Sequence, residues 1–306
     1  AAAMLFQEAG AKLCYGDSPT VWQPINVARV NGTAKVTESL NIPHADFESG
    51  EDVHFTGGKQ NQSFRIAKGV LSCDGLISLA KMKTHSFTRI TGAIKNQFGC
   101  IPGILKPEYH LRLKNASLFS RMLVDLNRYI RPRLCIMDGI VAMQGHGPLS
   151  GEPYPMHLLL VSANPAALDT VFSRLVNIDP FSVPAIRWAE RDGLDHFHID
   201  DIEIRGESIE ALIRTDFEVP SIDPEGVSSL NSIPWIRNLL SSRPVIEPKN
   251  CVRCGICVRS CPVTPKAVDF PHNDRRMVPV HNYQLCIRCY CCAENCPQHT
   301  IRIEDP

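Results

Sequence analysis

The sequence has no run of about 18 apolar residues, the length a helix needs to cross a bilayer. Its best mostly apolar stretch, Met156–Ala163, is far shorter. No basic segment precedes an apolar one at the start, so the secretory pattern is missing and a cytoplasmic, reducing setting is expected. An initiator Met is missing as well. Ala1–Gly10 reads as the middle of an amphipathic helix, and further sequence upstream is expected. Net charge is absent: 32 Lys and Arg balance 32 Asp and Glu, so no nucleic-acid partner is indicated. There is no Walker loop and no dinucleotide-binding fingerprint. With 19 Gly and 23 Pro in 306 residues, collagen-like and low-complexity readings are excluded. What remains is length for a large domain and a small one, and an unusual set of cysteines.

Four cysteines (Cys14, Cys73, Cys100, Cys135) are scattered over the first 250 residues, and nine more fall between Cys251 and Cys296. Two runs stand out. Cys251, Cys254 and Cys257 are followed by Cys261-Pro262; Cys286, Cys289 and Cys292 are followed by Cys296-Pro297. Both have the Cys-x2-Cys-x2-Cys-x3-Cys-Pro spacing of bacterial iron–sulfur ferredoxins. A cubane cluster needs four thiolates converging from different directions. Three closely spaced cysteines wrap one side, and the fourth of each run ligates the other cluster. Two 4Fe-4S clusters are therefore expected. One takes Cys251, Cys254, Cys257 and Cys296; the other takes Cys286, Cys289, Cys292 and Cys261. Disulfides do not suit a reducing compartment, and zinc ribbons lack the third cysteine and the Cys-Pro. Cys291 reads as a buried bystander. The tail, residues 244–306, is expected to be a small α+β two-cluster ferredoxin domain.

Residues 1–243 alternate strand-like and helix-like pieces. Strands are expected at Ala11–Tyr15, Phe64–Arg65, Gly75–Leu79, Leu134–Met137 and Met156–Ser162. Leu118, Phe119, Met122, Leu123, Leu126, Tyr129 and Ile130 recur at helical period, so Asn115–Ile130 is an amphipathic helix stopped by Arg131-Pro132. Further helices are expected after Asn164-Pro165 and over Phe181–Arg191. The alternation predicts an α/β domain, a largely parallel sheet with flanking helices.

The zero total charge hides a dipole. Cys73–Arg133 holds 11 Lys and Arg against three Asp and Glu, whereas Asp179–Glu225 holds four against 13. One reading is two solvated faces, or two halves pairing with each other. The other is an anion site in the basic stretch. Lys81, Lys83 and His85 follow an expected strand, and ligands of open α/β sheets bind beyond strand ends. Thr91-Gly92-Ala93-Ile94-Lys95-Asn96 would add free amides at a helix start, with Lys95 and Asn96 as ligand contacts. The loop Gly145–Gly151 can bring its backbone close to a ligand. Asp17 and Asp138 end strands and are candidates for acid–base or metal work. Cys100 lies in basic surroundings that would favour its thiolate, though a packed free cysteine is the competing reading. His110 and Arg112 are further anion candidates. Cys100 and Asp138 stand as the catalytic candidates.

Gly16-Asp17-Ser18-Pro19, Lys81–His85, Thr91–Gly99, Arg131–Gly139 and the Gly145 loop together resemble domain-of-unknown-function family 362. Many of its members are fused to a C-terminal two-cluster ferredoxin, as here. The family begins upstream with a strand that this chain lacks, so the resemblance implies an N-terminal truncation. It implies an architecture and no reaction. Three functions are expected as alternatives: an iron–sulfur oxidoreductase or subunit with an anionic-ligand site in the α/β domain; a pure electron carrier docking a redox partner protein; or a non-redox ligand-binding or cofactor-assembly protein.

Overall fold

Alternation of outer and inner residues does not stop at Leu79. Ser78, Ala80, Met82 and Thr84 are buried while Leu79 and Lys81 are exposed, so one strand runs Ile77–His85. The computed structural model describes residues 1–113, 115–194, 196–222, 238 and 241–304. In it, this strand (β3) is central. It follows a hairpin of β1 (Gly50–His54) and β2 (Ser63–Ala67). β4 (Arg89–Thr91) turns back antiparallel beside it. β5 (Leu134–Gln144) lies parallel on the other side, with Leu79 opposite Ile136 and Lys81 opposite Asp138. β6 (Glu152–Tyr154) and β7 (Leu158–Ser162) both pair antiparallel with β5. The α/β class with flanking helices is observed. Its parallel character is confined to the β3–β5 pair, because β5 is followed by tight returns rather than a helical crossover. Ala11–Tyr15 is not a strand; it makes one bridge, Tyr15 to His44, having no neighbouring strand to extend a ladder.

The long helix is Ala116–Ile130, capped by the Asn115 side chain on the Leu118 amide (2.8 Å) and ended by Arg131 in the left-handed region. It buries Phe119, Met122, Leu123 and Leu126. Helix Pro165–Leu175 is capped by Asn164 on the amides of Ala166 and Ala167. It packs with the short helix Ala93–Asn96 on one face of the sheet, over Met82 and Met137. The opposite face leaves Leu79, Leu159 and Val161 exposed.

In the tail, β8 (Arg243–Ile246) pairs antiparallel with β11 (Ile301–Glu304), and β9 (Val268–Asp269) with β10 (Val280–His281). Helices Ile256–Ser260 and Cys291–Glu294 follow the two cysteine loops. Apolar residues of the tail, Val268, Ile301 and Ile303 among them, join the same contiguous core as the α/β part. Among the described residues no helix is long and apolar enough to cross a membrane.

Candidate iron–sulfur centres and the basic cluster

Each cysteine loop turns by the same device. Arg253 and Gly255 in the first, and Arg288 and Tyr290 in the second, have positive φ. Left-handed residues at alternate positions curl a short loop so that successive thiols face inward. The result is two cavities. One, of about 330 Å³, is lined by Cys251, Cys254, Cys257 and Cys296. The other, of about 300 Å³, is lined by Cys261, Cys286, Cys289 and Cys292. Cys291 lines neither. It occupies the place that Ile256 holds in the first loop, and both are buried at the start of a helix. The donors surround a volume rather than closing on a point. Among the described residues no three His, Cys, Asp or Glu converge on one ion. A single zinc draws its thiolates to about 2.3 Å, whereas a cubane spreads four over its corners.

The sulfurs carry donors suited to thiolate charge. The Ala267 amide lies 3.4 Å from Cys261 Sγ, the Thr300 amide 3.4 Å from Cys296 Sγ and His281 Nε2 3.4 Å from Cys292 Sγ. Burial pushes the Cys257 thiol up to about 12 in the metal-free chain. As a cluster ligand Cys257 would be held as the thiolate, the proton being displaced on binding. The cavities therefore fit the clusters.

The helix after the second loop abuts the α/β part. Glu294 enters the α/β part and its Oε1 lies 3.2 Å from His85 Nε2. His85 Nδ1 accepts the amide of Phe87 at 3.0 Å, with that of Thr88 at 3.4 Å, which leaves the proton on Nε2, facing Glu294. Burial, with Lys95 nearby, holds His85 down at about 4, so the ring that faces Glu294 is neutral, and the two atoms are close without the alignment of a hydrogen bond. Burial by itself would raise Glu294. The surrounding His85, Lys95 and His110 overcome this and hold it well below the usual carboxylate range. Lys95 is pushed down to about 8 by burial, with Glu294 opposing; burial lowers Lys83 and Lys106 too, and Glu294 and Asp17 oppose it. Lys106 also donates to the Ser18 carbonyl and sits 5.3 Å over the Phe98 ring. Lys83, Lys95 and Lys106 are each partly exposed.

Of the expected ligand contacts, Lys83, His85 and Lys95 are thus brought together. Lys81 is not; it pairs with Asp138 at 2.7 Å on the exposed sheet face, because it sits inside β3 rather than beyond its end. Asn96 is engaged by Ser78 Oγ (2.8 Å) and the Leu79 carbonyl. The amides expected to be free are taken: Ala93 and Ile94 donate to the buried Asp169 at 2.5 and 3.0 Å. Gly92 permits this, since a Cβ there would collide with the Asp169 carboxylate. The Gly145 loop is packed at Gly147, while His146 and Leu149 are exposed. A Cβ on Gly147 would strike the Thr84 carbonyl, and Ser86 donates to Gly147 O at 3.0 Å. Cys100 is buried, and burial with Asp17 pushes it up to about 12, so it is a thiol and not the thiolate that basic surroundings suggested. Sequence reasoning missed Glu294, Lys106 and Asp169. For Glu294 one signal existed: it replaces Arg259 of the first loop.

The family model described as Domain of unknown function (DUF362) matches residues 1–174, and the 4Fe-4S dicluster domain matches 243–297. The chain belongs to the DUF362 family. It carries an iron–sulfur, ferredoxin-like domain with capacity for electron transfer. It is 37% identical over 196 residues to the thylakoid-associated protein sll1697 of Synechocystis sp. (strain ATCC 27184 / PCC 6803 / Kazusa), a match covering 64% of this chain. The chain spans 60% of that curated relative's length. The DUF362 match takes in Asp17, Lys83, His85, Lys95, Lys106 and Asp169, whereas Glu294 falls in the dicluster match.

Glu294→Gln removes a buried carboxylate that attracts Lys83, Lys95 and Lys106 and lies 3.2 Å from His85, and loss of such a buried charge from its partners costs about 3 kcal/mol. The urea midpoint of the cluster-loaded protein should fall accordingly. Acidification tests the histidines. His85 and His110 are both held at about 4 against an ordinary 6.5. The unfolded chain takes up protons in that window while the folded one does not, so stability falls as pH drops from 6.5 to 4. Asp169, raised by burial to about 7, opposes this with one carboxyl against two imidazoles. His110→Phe, which keeps the stacking on Phe119, should flatten the pH dependence of urea unfolding between pH 7 and 5.

Proposed function

We propose that this chain is an iron–sulfur redox protein in which electrons pass through two 4Fe-4S clusters to the basic cluster of the α/β part. Residues 244–306 form the redox unit and 1–243 the unit that carries the basic cluster. Cys251, Cys254, Cys257 and Cys296 hold the first cluster; Cys286, Cys289, Cys292 and Cys261 hold the second. When bound, each cluster supplies one-electron chemistry. The observation that carries the reading is the helix Cys291–Glu294. It places Cys292 on the second cavity and Glu294 in the basic cluster, two residues apart.

Exposure supports a direction. Around the first cavity Cys254 is exposed and Cys251 and Cys296 are half-buried, whereas all four cysteines of the second are buried. The first centre is the face for a redox partner protein, and the second is the interior relay. Lys83, Lys95 and Lys106 outnumber Glu294 and Asp17 by one charge, which supports a small anionic ligand there. Cys100 and Asp138 lie in the same unit, Cys100 beside Asp17 as a neutral thiol and Asp138 on the outer face. A second reading rests on Glu294 itself. The basic cluster already holds a carboxylate of its own chain, which favours a pure electron carrier. Reduced thiols suit a reducing compartment, and we place the chain in the cytoplasm. The relative's printed association with thylakoids supports a partner at a membrane surface.

Anaerobic loading with iron and sulfide should give about eight iron atoms per chain, four for each cubane, with absorbance bleached by dithionite. Cys261→Ala should lose about half of the iron, and Cys291→Ala should keep it all. A colourless protein, or equal iron loss in both variants, defeats the assignment. For the basic cluster, calorimetry with inorganic phosphate should show binding that weakens at least tenfold in Lys83→Ala. Absence of any phosphate heat in the wild type selects the pure carrier.

A further inference from the structure

Two cysteines of the α/β part take no share in any of this. Cys14 and Cys73 are 59 positions apart in sequence, both are exposed, and their sulfurs lie 3.3 Å from each other. The part's other cysteines, Cys100 and Cys135, are buried. Local backbone bonds position both sulfurs of the pair. Next to Cys14, Tyr15 takes a hydrogen bond from Ala45 (2.8 Å) and gives one to Pro43 (3.1 Å). Cys73 donates its thiol to the Gly69 carbonyl at 3.1 Å, and its amide to Val70 at 3.3 Å. A disulfide is about 2.05 Å long, so closure brings the sulfurs about 1.3 Å nearer.

We propose that Cys14 and Cys73 form a reversible dithiol–disulfide pair, oxidised by exchange with a low-molecular-weight disulfide and separate from the iron–sulfur ligands. The exchange balances with glutathione disulfide as oxidant. One cysteine thiolate attacks a glutathione sulfur, expelling the first glutathione thiolate and leaving a mixed disulfide. The second cysteine attacks the protein-side sulfur and expels the other glutathione. Two protein thiols lose two electrons and two protons, and two glutathione thiols carry them away. Partial desolvation at its contact with Cys73, and the Cys73 thiol itself, raise Cys14 to about 11, so the exchange quickens as pH rises. The bond would tie the segment leading to Asp17 and Ser18 to the chain entering β3. Those elements carry Asp17, the Ser18 carbonyl that receives Lys106, and Lys83. The pair therefore sits where a covalent clamp steadies one side of the basic cluster.

The test uses the full chain, loaded with clusters and kept without air. It is equilibrated at fixed ratios of glutathione disulfide to glutathione, acid-quenched, alkylated and digested for mass spectrometry. The expected result is a Cys14 peptide joined to a Cys73 peptide, its fraction following one midpoint, with the iron content unchanged. Cys73→Ser should convert Cys14 to a glutathione mixed disulfide, and Cys14→Ser should do the same for Cys73. Alkylated Cys14 and Cys73 in excess oxidant would overturn the proposal. So would mixed disulfides on both cysteines of the wild type without a cross-link, or a cross-link that forms only as iron is lost.

Discussion

A carboxylate moved out of water is costly unless cations and donors replace its hydration. Glu294 meets that condition with groups from another part of the chain. His85 brings a neutral ring within 3.2 Å of it, with the proton on the near nitrogen because the other is occupied by the Phe87 and Thr88 amides. The charge comes from Lys95, Lys83 and Lys106, whose own burial would otherwise disfavour them. The requirement is mutual. Lysines need the carboxylate, and the carboxylate needs the lysines. This contact seats the helix Cys291–Glu294 on the α/β part, and with it the wall of the second cysteine cavity. The excess positive charge of Cys73–Arg133 is then neither a plain solvated face nor a wholly open anion site. Part of it is engaged by the chain's own tail, with Lys83, Lys95 and Lys106 still partly exposed.

What was legible in the sequence was local. The helix Ala116–Ile130 is readable from its apolar period and the stop at Arg131-Pro132. The cysteine runs were legible because iron–sulfur geometry constrains spacing along the chain. What was not legible depended on partners distant in sequence. The sequence predicts a strand over Gly75–Leu79 with Lys81, Lys83 and His85 beyond it, whereas pairing with β5 and β4 carries the strand on to His85. The amides of Ala93 and Ile94 looked free until Asp169, 75 and more residues away, was found on them. Glycines that suggested ligand contact proved to make room for neighbours, Gly92 for Asp169 and Gly147 for Thr84. A glycine cleared for a ligand and one cleared for a carboxylate of the same chain look alike in sequence.

The two cysteine loops add a further constraint. They share spacing, left-handed turns at matching positions and a following short helix. Two near-equivalent loops offer two near-equivalent ways for the tail to dock. Their matched helices differ at the position that decides between these ways: Arg259 is exposed on the first, and Glu294 faces His85 on the second. With Arg259 against Lys83, Lys95 and Lys106, like charges would meet in a poorly hydrated space, and such a juxtaposition costs several kcal/mol. Attraction at one loop and repulsion at the other both favour the same arrangement. A single reversal of charge in an otherwise repeated structure therefore makes the pseudo-symmetric tail directional. It leaves the more exposed set of cysteines outward and the buried set against the α/β part.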